Sequence, residues 1–445
     1  MNGWQEPKYG KRIYLITDNT KMDEFTKPED IERIHVPYNA SRVNLGIHYY
    51  RNSLYSSNLV GICRIKSIDG ETLYDVNGNE LLIKVVPRFN ITVVELLNYI
   101  RDDDEFDRYM APQTISNRHK EKDIESIDRN EIFYFFENEK PLKVDDGISA
   151  ENSIITVTVF LTLLRLLCRK PLMGRMLKEE KNLVGKVKGK IVIEKNIRSN
   201  TMHGRNDRFY CNNYTSMISY CSNVLRHISD IQVTGSACNG LKFSGYYTYY
   251  KPVIAMARMV LDDISIESNG EISTTGYVVP YAISMEKLFE VYVRAYLKKN
   301  GIDSYRSKND KGIRMEKFDD KTDVFWEEEG LANPGKYISG SIKPDLILTD
   351  RESGETVVFD VKYKDYTNGD SRNDRLQLLA YSMMMNANNV GIILPAQTEI
   401  EIFDARRINS KENRVVKYHQ MLLGMETDNA TIANYIKNNT FDMKD

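Results

Sequence analysis

The chain has 445 residues, of which 41% are hydrophobic and 28% charged, and its formal net charge is −2. This balance excludes a disordered polar chain, and the length indicates two or three domains rather than one. A nucleic-acid-binding protein without an overall basic charge must concentrate its positive charge locally.

Residues 1–112 are predicted to form a β-rich N-terminal domain, a candidate docking region for a partner. Asp69-Gly70 and Asn77-Gly78 are strong hairpin signals, and Thr92–Arg101 has the apolar stripe of a helix. The runs that these two turns separate span 59–66, 71–76 and 80–89. Residues 113–149 are polar and charge-dense, which predicts a linker with one short ordered insert at 132–136.

Residues 150–279 are predicted to form a mainly helical middle region with a basic β arm at 183–200. Between Arg165 and Arg208 there are 13 Lys/Arg and 4 Asp/Glu, a local charge of +9. Two interpretations stay open for this arm: a solvated surface, or a patch that contacts DNA phosphates or a partner. The candidate contacts are Lys186, Lys188, Lys190, Lys195, Arg198 and Arg205.

From residue 280 to 445 the pattern alternates between helix and strand, which predicts a compact α/β domain. A helix at 284–300 is expected to end at Gly301, a typical helix stop. Asp350 to Gly354 is the expected turn between two of the strands. Further strands are predicted at 323–328, 344–350, 356–364 and 390–396, with a second helix at 375–386.

Two neighbouring strands of this domain deliver acidic residues. Asp345 opens one strand directly after Pro344, whereas Asp360 ends the apolar run of the next, with Lys362 two residues further on. Alternation along a strand places Asp360 and Lys362 on one face, and two nearby carboxylates make a hard oxygen site that suits Mg²⁺. The alternative is an Asp–Lys surface pair on an edge strand.

The context of these residues resembles the PD-(D/E)xK nuclease superfamily, because Pro-Asp precedes Asp-x-Lys by fourteen residues. The resemblance implies a mixed central sheet flanked by helices. It also implies that Asp345 and Asp360 hold the metal, with the Val361 carbonyl as an extra ligand. Lys362 would orient the attacking water or stabilise charge on the phosphate.

Two flanking helices carry further candidates from the same resemblance. Glu290 occupies a helix where the superfamily often supplies another acidic residue, and it would hold a ligand water; the alternative is an exposed helix carboxylate. Gln377 and Tyr381 resemble the Gln-x-x-x-Tyr element of the RecB-like branch. They would position DNA or brace the site, and core packing is the alternative for Tyr381.

Beyond the superfamily, the chain resembles McrC, the nuclease subunit of McrBC modification-dependent restriction systems. One departure is that 215–229 lacks the Asn-Arg pair that often opens a helix in that family. The stretches that carry the resemblance are VKGKIVIEKNIRSN (187–200), SMEKLFEVYVRAYL (284–297), and KPDLILTD (343–350) with FDVKYKDY (359–366).

This family resemblance implies an Mg²⁺-dependent DNA endonuclease subunit, with Mn²⁺ able to substitute. It also implies a McrB-like AAA+ GTPase oligomer as a partner that reads modified double-stranded DNA and licenses cleavage. The chain would stimulate that GTPase and dimerise to cut both strands. Two other functions stay open: a stand-alone RecB- or Cas4-like repair nuclease, and a non-catalytic regulator of the GTPase.

Other motifs in the sequence are weaker. The five cysteines are odd in number and none has zinc-knuckle spacing, which favours a reducing cytoplasm. The N-terminus lacks the apolar core of a signal peptide, and the most apolar stretch, 154–168, is too short to span a bilayer. A cytoplasmic protein without membrane contact is therefore expected. The Gly-Lys loop at 330–337 has Tyr337 where a nucleotide-binding loop needs Ser or Thr.

Overall fold

The computed structural model describes residues 2–23, 25, 43–67, 69–89, 92–100, 113–115, 132–136, 142–144, 277–278, 280–303, 312–316, 344–365, 372–396, 401–409, 414–424 and 430–441. They fall into two compact units, one within Met1–Arg88 and Thr92–Lys287, the other within Phe89–Ile91 and Leu288–Asp445. No helix in these ranges is long and apolar enough to cross a membrane. The predicted helices between 150 and 265, the basic arm, the strand at 323–328 and the loop at 330–337 lie outside the described residues.

The first unit is dominated by strands, as the sequence predicts. Its described elements are β1 (Gly3–Trp4), β2 (Lys11–Thr17), a 3-10 turn (Val43–Gly46), β3 (His48–Tyr50), β4 (Ser53–Tyr55), β5 (Leu59–Arg64), β6 (Glu80–Val86), α1 (Val93–Ile100), β7 (Gln113–Ile115), β8 (Phe133–Phe136), β9 (Leu142–Lys143), β10 (Tyr277–Val278) and β11 (Tyr281–Ser284). Seven strands form one sheet in the order β1-β2-β6-β5-β11-β8-β7, while β3 pairs with β4 and β9 with β10.

One side of β2 faces the core of this unit. Tyr14 and Ile16 are buried and alternate with partly exposed residues, the two-residue period of a strand with one covered face. Trp4 stacks on Phe25 at a ring separation of 5.7 Å, and Tyr14 meets Phe25 edge-on at 4.9 Å. The outer side of β2 therefore stays available for polar groups.

Three details of this unit differ from the sequence-based expectation. Residues 71–76 form only isolated bridges, because the carboxylate of Asp75 accepts the backbone N–H groups of Asn77 and Asn79 and turns the chain. The range 113–149 supplies β7, β8 and β9, whereas its polar composition predicts a linker with a single ordered insert. Strand β11 lies within the range 280–445 that the sequence analysis assigns to the α/β domain. In the structure it pairs with β5 and so belongs to the sheet of the first unit.

The second unit is a mixed α/β fold around a six-stranded sheet. Its described elements are α2 (Met285–Lys299, of which the residues from Leu288 belong here), β12 (Ile313–Met315), β13 (Leu346–Asp350), β14 (Thr356–Val361), α3 (Arg372–Met384), β15 (Asn389–Pro395), β16 (Glu401–Asn409), β17 (Arg414–Leu423) and α4 (Thr431–Asn439). The strand order is β12-β13-β14-β15-β17-β16. Strands β14, β15 and β17 run parallel, and the outer pairs are antiparallel.

The centre of this sheet is apolar on both faces, as central parallel strands usually are. Val358 and Val390 pack on one face against Leu378 and Tyr381 of α3. On the other face the ring of Phe359 lies over the backbone of Gly391. The strands predicted around 344–350, 356–364 and 390–396 and the helix around 375–386 are confirmed with small shifts in their ends. Strands β16 and β17 and helix α4 were not predicted.

Helix α2 ends as the sequence predicts. The N–H of Gly301 donates to the Lys298 carbonyl at 3.1 Å, and the N–H of Ile302 donates to the Leu297 carbonyl at 2.9 Å. Gly301 has a φ of +83°, the left-handed conformation that this helix-ending motif requires. The glycine therefore fixes the end of a helix whose residues from Leu288 to Leu297 are all buried.

Candidate active site

Strands β13 and β14 bring two carboxylates together at one end of the second sheet. Their antiparallel register pairs Leu346 with Phe359, so the next residues outward, Asp345 and Asp360, face each other. The N–H of Val361 donates to Asp345 Oδ2 at 3.0 Å, which fixes the Asp345 side chain against β14. The juxtaposition predicted from the spacing of the two motifs is present in the structure.

Asp360 is almost fully enclosed, with 1% of its surface exposed. Burial raises the pKa of Asp360 well above its usual value, and the negative charge of Asp345 raises it further. The ammonium group of Lys362 acts in the opposite direction, with Nζ 2.9 Å from Asp360 Oδ2. An exposed edge-strand ion pair, the alternative left open by the sequence, is therefore excluded.

The donor set at this site fits a hard divalent cation. Asp360 Oδ1 is buried and accepts no hydrogen bond from a donor among the described residues. A cation between the two carboxylates would satisfy this atom and remove the repulsion that raises the Asp360 pKa. Mg²⁺ commonly takes one or two carboxylates and keeps several waters, so two aspartates suffice. The Val361 carbonyl stays a predicted ligand.

Glu290 is buried in α2, with 2% of its surface exposed, so the alternative of an exposed helix carboxylate is wrong. Within the described residues, no group of three or more His, Cys, Asp or Glu side chains has a metal-binding arrangement. The structure therefore brings Asp345, Asp360 and Lys362 together without adding Glu290 as a third carboxylate. A role for Glu290 in holding a ligand water stays a prediction.

Arg294, one helical turn beyond Glu290, is a site residue that the sequence reasoning missed. It is buried at 3% exposure, donates from Nη1 to the Asp345 carbonyl at 3.3 Å, and donates from Nη2 to the Glu316 carbonyl. Arg294 thereby links helix α2 by a hydrogen bond to the backbone of Asp345. The available signal was an arginine inside an otherwise apolar helix face, which is costly unless the guanidinium is hydrogen-bonded.

On helix α3, the two residues singled out by the Gln-x-x-x-Tyr resemblance, Gln377 and Tyr381, hydrogen-bond to each other. Gln377 Nε2 donates to the Tyr381 hydroxyl at 2.6 Å, and the Tyr381 side chain is fully buried. Burial raises the pKa of Tyr381, and the negative charges of Asp360 and Asp345 raise it further. The tyrosine is therefore part of the core and lies close enough to the two carboxylates to be affected by their charge. Its role in bracing the site or positioning DNA stays a prediction.

A second ion pair lies beyond the end of β14. Lys364, two residues after Lys362, places Nζ 3.0 Å from Asp374 Oδ1 and 3.2 Å from Oδ2. Asp374 is buried in the first turn of α3. The pair joins the chain beyond β14 to the helix that carries Tyr381. Only the tertiary structure shows that Asp374 is the partner of Lys364.

The basic candidates Lys186, Lys188, Lys190, Lys195, Arg198 and Arg205 lie outside the described residues. Their assignment to DNA or to a partner stays a prediction from the local charge alone.

Comparison with known families and structures gives one family match. Residues 211–395 match the model of the McrBC 5-methylcytosine restriction system component. The matched range contains both carboxylates, Lys362, Glu290 and the Gln377–Tyr381 pair, but not the segment 187–200. The match confirms the resemblance to the McrBC restriction systems that the sequence indicated. A comparison with curated proteins gives no match.

Two solved structures from Thermococcus gammatolerans are similar to the chain. One is a half-complex from a tetradecameric assembly of McrB AAA+ hexamers with bound McrC: identity is 12%, the match covers 94% of this chain and 95% of that one, and the TM-score is 0.36. The other is the McrBC complex, with 14% identity, 62% and 75% coverage, and a TM-score of 0.18. At these TM-scores neither likeness defines the fold of this chain.

Proposed function

We propose that this chain is the DNA-cleaving subunit of a McrBC-type restriction system, an Mg²⁺-dependent endodeoxyribonuclease; the match of residues 211–395 to the model of the McrBC restriction system component supports the system. The observation that carries the proposal is the buried Asp345–Asp360 pair with Lys362 Nζ 2.9 Å from Asp360. We assign the second unit to the PD-(D/E)xK nucleases, because its mixed sheet presents these residues in the order and on the strands typical of them.

The residues of the site divide the work of phosphodiester hydrolysis. Asp345 and Asp360 would hold Mg²⁺, with Mn²⁺ as a substitute, and the ion when bound supplies Lewis-acid activation of phosphate and water. Lys362 would stabilise the negative charge that develops on the phosphate and orient the attacking water. Arg294 donates a hydrogen bond to the Asp345 carbonyl and so would hold its backbone in place, and the buried Tyr381 would brace the site from α3.

The partner that we propose is a McrB-like AAA+ GTPase oligomer. The family description names a 5-methylcytosine restriction system, which supports methylated double-stranded DNA as the substrate. The candidate site contains one carboxylate pair, and we expect one such site to cut one DNA strand. Cutting both strands would therefore require two such sites. We therefore also propose that two copies of the chain act together, and that the chain stimulates the GTPase of its partner.

The test combines the full chain, a McrB-like AAA+ GTPase, GTP, Mg²⁺ and a methylated or unmethylated duplex. We expect cleavage of the methylated duplex only when chain, partner, GTP and Mg²⁺ are all present. Asp360→Asn and Lys362→Ala should each lower cleavage by at least about 100-fold, because loss of one group that stabilises the charge of the transition state typically costs about 100- to 1,000-fold. Glu352→Gln, an exposed carboxylate in the β13–β14 turn, is the matched control.

The same assay separates the alternatives. Cutting without any partner would identify a stand-alone nuclease of the RecB or Cas4 kind. GTPase stimulation that survives Asp360→Asn, together with no cutting by the unmutated chain, would identify a regulator. Either result contradicts the proposed function.

A further inference from the structure

A lysine-rich groove lies in the first unit, on the outer side of β2, and no part of the proposed function uses it. Its volume is about 260 Å³. Ile13 and Leu15 of β2 form part of its floor together with Val144, and Lys84 is the neighbour of Leu15 in the parallel register with β6. The complete lining is Gln5, Glu6, Lys8, Tyr9, Lys11, Ile13, Leu15, Lys84, Lys143 and Val144.

The groove is positively charged in a chain whose net charge is −2. Four lysines line it, and among the described residues Glu6 also lines it, while Glu80 Oε2 lies 3.5 Å from Lys11 Nζ. Within the part of the chain that the structure describes, these four lysines and two glutamates leave a net local charge of +2. Lysine ammonium groups are compact donors that bind phosphate as point charges, and a concave site concentrates their field.

Tyr9 stands at the rim on a two-residue hairpin turn. Lys8 and Lys11 exchange backbone hydrogen bonds of 2.8 and 2.9 Å, and Tyr9 and Gly10 between them have φ values of +53° and +71°. A positive φ is costly for a bulky side chain, and such strain is concentrated at functional sites. The turn holds the Tyr9 ring 56% exposed, beneath the Lys143 ammonium at 5.0 Å.

We propose that this groove binds a strand of DNA, with the backbone phosphates on the lysines and a base against Tyr9. The combination of an exposed aromatic ring, an apolar floor and a ring of lysines is typical of single-strand binding, where stacking and phosphate neutralisation act together. The volume is below the roughly 300–1,000 Å³ of pockets that enclose whole small ligands, which favours a local contact with a longer strand. The inference rests on the proposed function only for the choice of DNA.

An acidic protein surface is the competing occupant. A flat ion-pair interface needs neither an apolar floor nor a strained, exposed tyrosine, so the observations favour DNA. The first unit would then raise the affinity of the protein for DNA without taking part in the chemistry.

The test measures binding of the full chain to a fluorescent ten-nucleotide single strand in EDTA, so that no cleavage takes place. Lys84→Gln combined with Lys143→Gln should weaken binding on the order of tenfold at low salt. The slope of log affinity against log salt should become shallower by about 0.7 for each phosphate that the lysines no longer neutralise. Lys21→Gln combined with Lys299→Gln removes the same charge outside the groove and should leave the affinity unchanged. Tyr9→Asn, which tolerates a positive φ, should weaken single-strand binding about fivefold or more without unfolding the unit.

Three results would overturn the proposal. The first is equal affinity of the groove variants and the control variants for the strand. The second is a free mononucleotide that displaces the probe as effectively as an unlabelled strand at the same molar concentration. The third is loss of binding to the AAA+ partner with DNA binding intact, which would make the groove a protein interface. Failure of cleavage would affect none of these measurements, since they require no metal.

Discussion

At the scale of single residues, Gly391 shows how closely the second sheet is packed beneath the carboxylates. A Cβ added there would lie 2.5 Å from the His419 carbonyl oxygen and 2.7 Å from Cε1 of Phe359, the residue next to Asp360. The backbone of Gly391 has no positive φ, so the requirement for glycine comes from contact alone.

We predict that Gly391→Ala lowers the free energy of unfolding by about 1–3 kcal/mol or more, because an added methyl group must displace backbone or a ring. Chemical denaturation of the full chain measures this. Gly424→Ala is the matched control, since its Cβ would meet only Ala396 Cβ at an ordinary 3.8 Å. Equal stability of the two variants would show that the β15 region can relax around a side chain.

The metal expected at Asp360 can be tested without cleavage. We predict that Mg²⁺ raises the melting temperature of the unmutated chain, because a ligand that binds only the folded state stabilises it. Asp360→Asn should abolish that rise, since one of two carboxylate ligands is removed, while Glu352→Gln should keep it. A rise that persists in Asp360→Asn would place the Mg²⁺ elsewhere in the chain.

At the scale of elements, helix α3 reaches the site through its Gln377–Tyr381 pair. We predict that Tyr381→Phe reduces cleavage by about 10-fold, the cost typical of a group that positions metal ligands, and lowers stability by only about 1 kcal/mol because the ring stays packed. Gln377→Met should give a similar loss, and the double variant little more, because both changes remove one hydrogen bond. Unchanged cleavage in Tyr381→Phe would leave the tyrosine a packing role alone.

The end of β2 contains a carboxylate that should make the stability of the first unit depend on pH. Asp18 lies directly after β2 and is fully buried. Its Oδ1 accepts a hydrogen bond from the backbone N–H of Arg88 at 2.6 Å, and its Oδ2 lies 3.9 Å from the side-chain Nε of Arg88. Burial raises its pKa from 3.8 to about 6, against the opposing charge of Arg88. The folded state therefore keeps the Asp18 proton to a higher pH than the unfolded state does. The stability that comes from protonated Asp18 is complete below pH 3.8 and is lost as the pH rises through about 6.

The variant Asp18→Asn has no carboxyl group to titrate at this position, so it should not lose stability there as the pH rises. Its side-chain amide still offers an oxygen that can accept the Arg88 hydrogen bond. Between about pH 4 and pH 7, we predict that the unfolding free energy of the variant rises relative to the unmutated chain by up to about 3 kcal/mol. Denaturation at both pH values measures it. Asp23→Asn, an exposed carboxylate nearby, should show no such change. A flat difference for Asp18→Asn would mean that the Asp18–Arg88 pair stays ionised throughout.

At the scale of the whole molecule, the lysine-rich groove and the carboxylate pair belong to different compact units. We predict that their contributions to DNA binding in EDTA add, as contributions of independent sites do. The double change Lys84→Gln and Lys143→Gln should reduce the free energy of DNA binding by the same amount, within about 0.5 kcal/mol, in the unmutated chain and in Asp360→Asn. A larger coupling energy, measured by a double-mutant cycle, would show that the two sites are not independent.

The sequence alone was sufficient for the elements with strong local signals. Apolar runs bounded by turn residues located β13, β14 and β15, and Gly301 located the end of α2, because burial and backbone freedom act over a few residues. The resemblance of Pro-Asp and Asp-x-Lys to a nuclease motif singled out Asp345, Asp360 and Lys362 as candidates. Strand alternation, a local rule, predicted that Asp360 and Lys362 share a face. The mixed residues of β16 and β17, by contrast, have no regular apolar period, so their strands depend on pairing with β15 and with each other.

What only the tertiary structure decided is how distant groups meet. Asp345 and Asp360 face each other because of the β13–β14 register, and this register together with burial turns an ordinary Asp–Lys pair into a strained carboxylate site. Arg294 reaches the Asp345 backbone from α2 across 51 residues of chain. The groove on β2 likewise unites Lys84 and Lys143 with the first hairpin. Local sequence sets which elements form, but the energy of burying a charge depends on neighbours that folding brings from elsewhere in the chain.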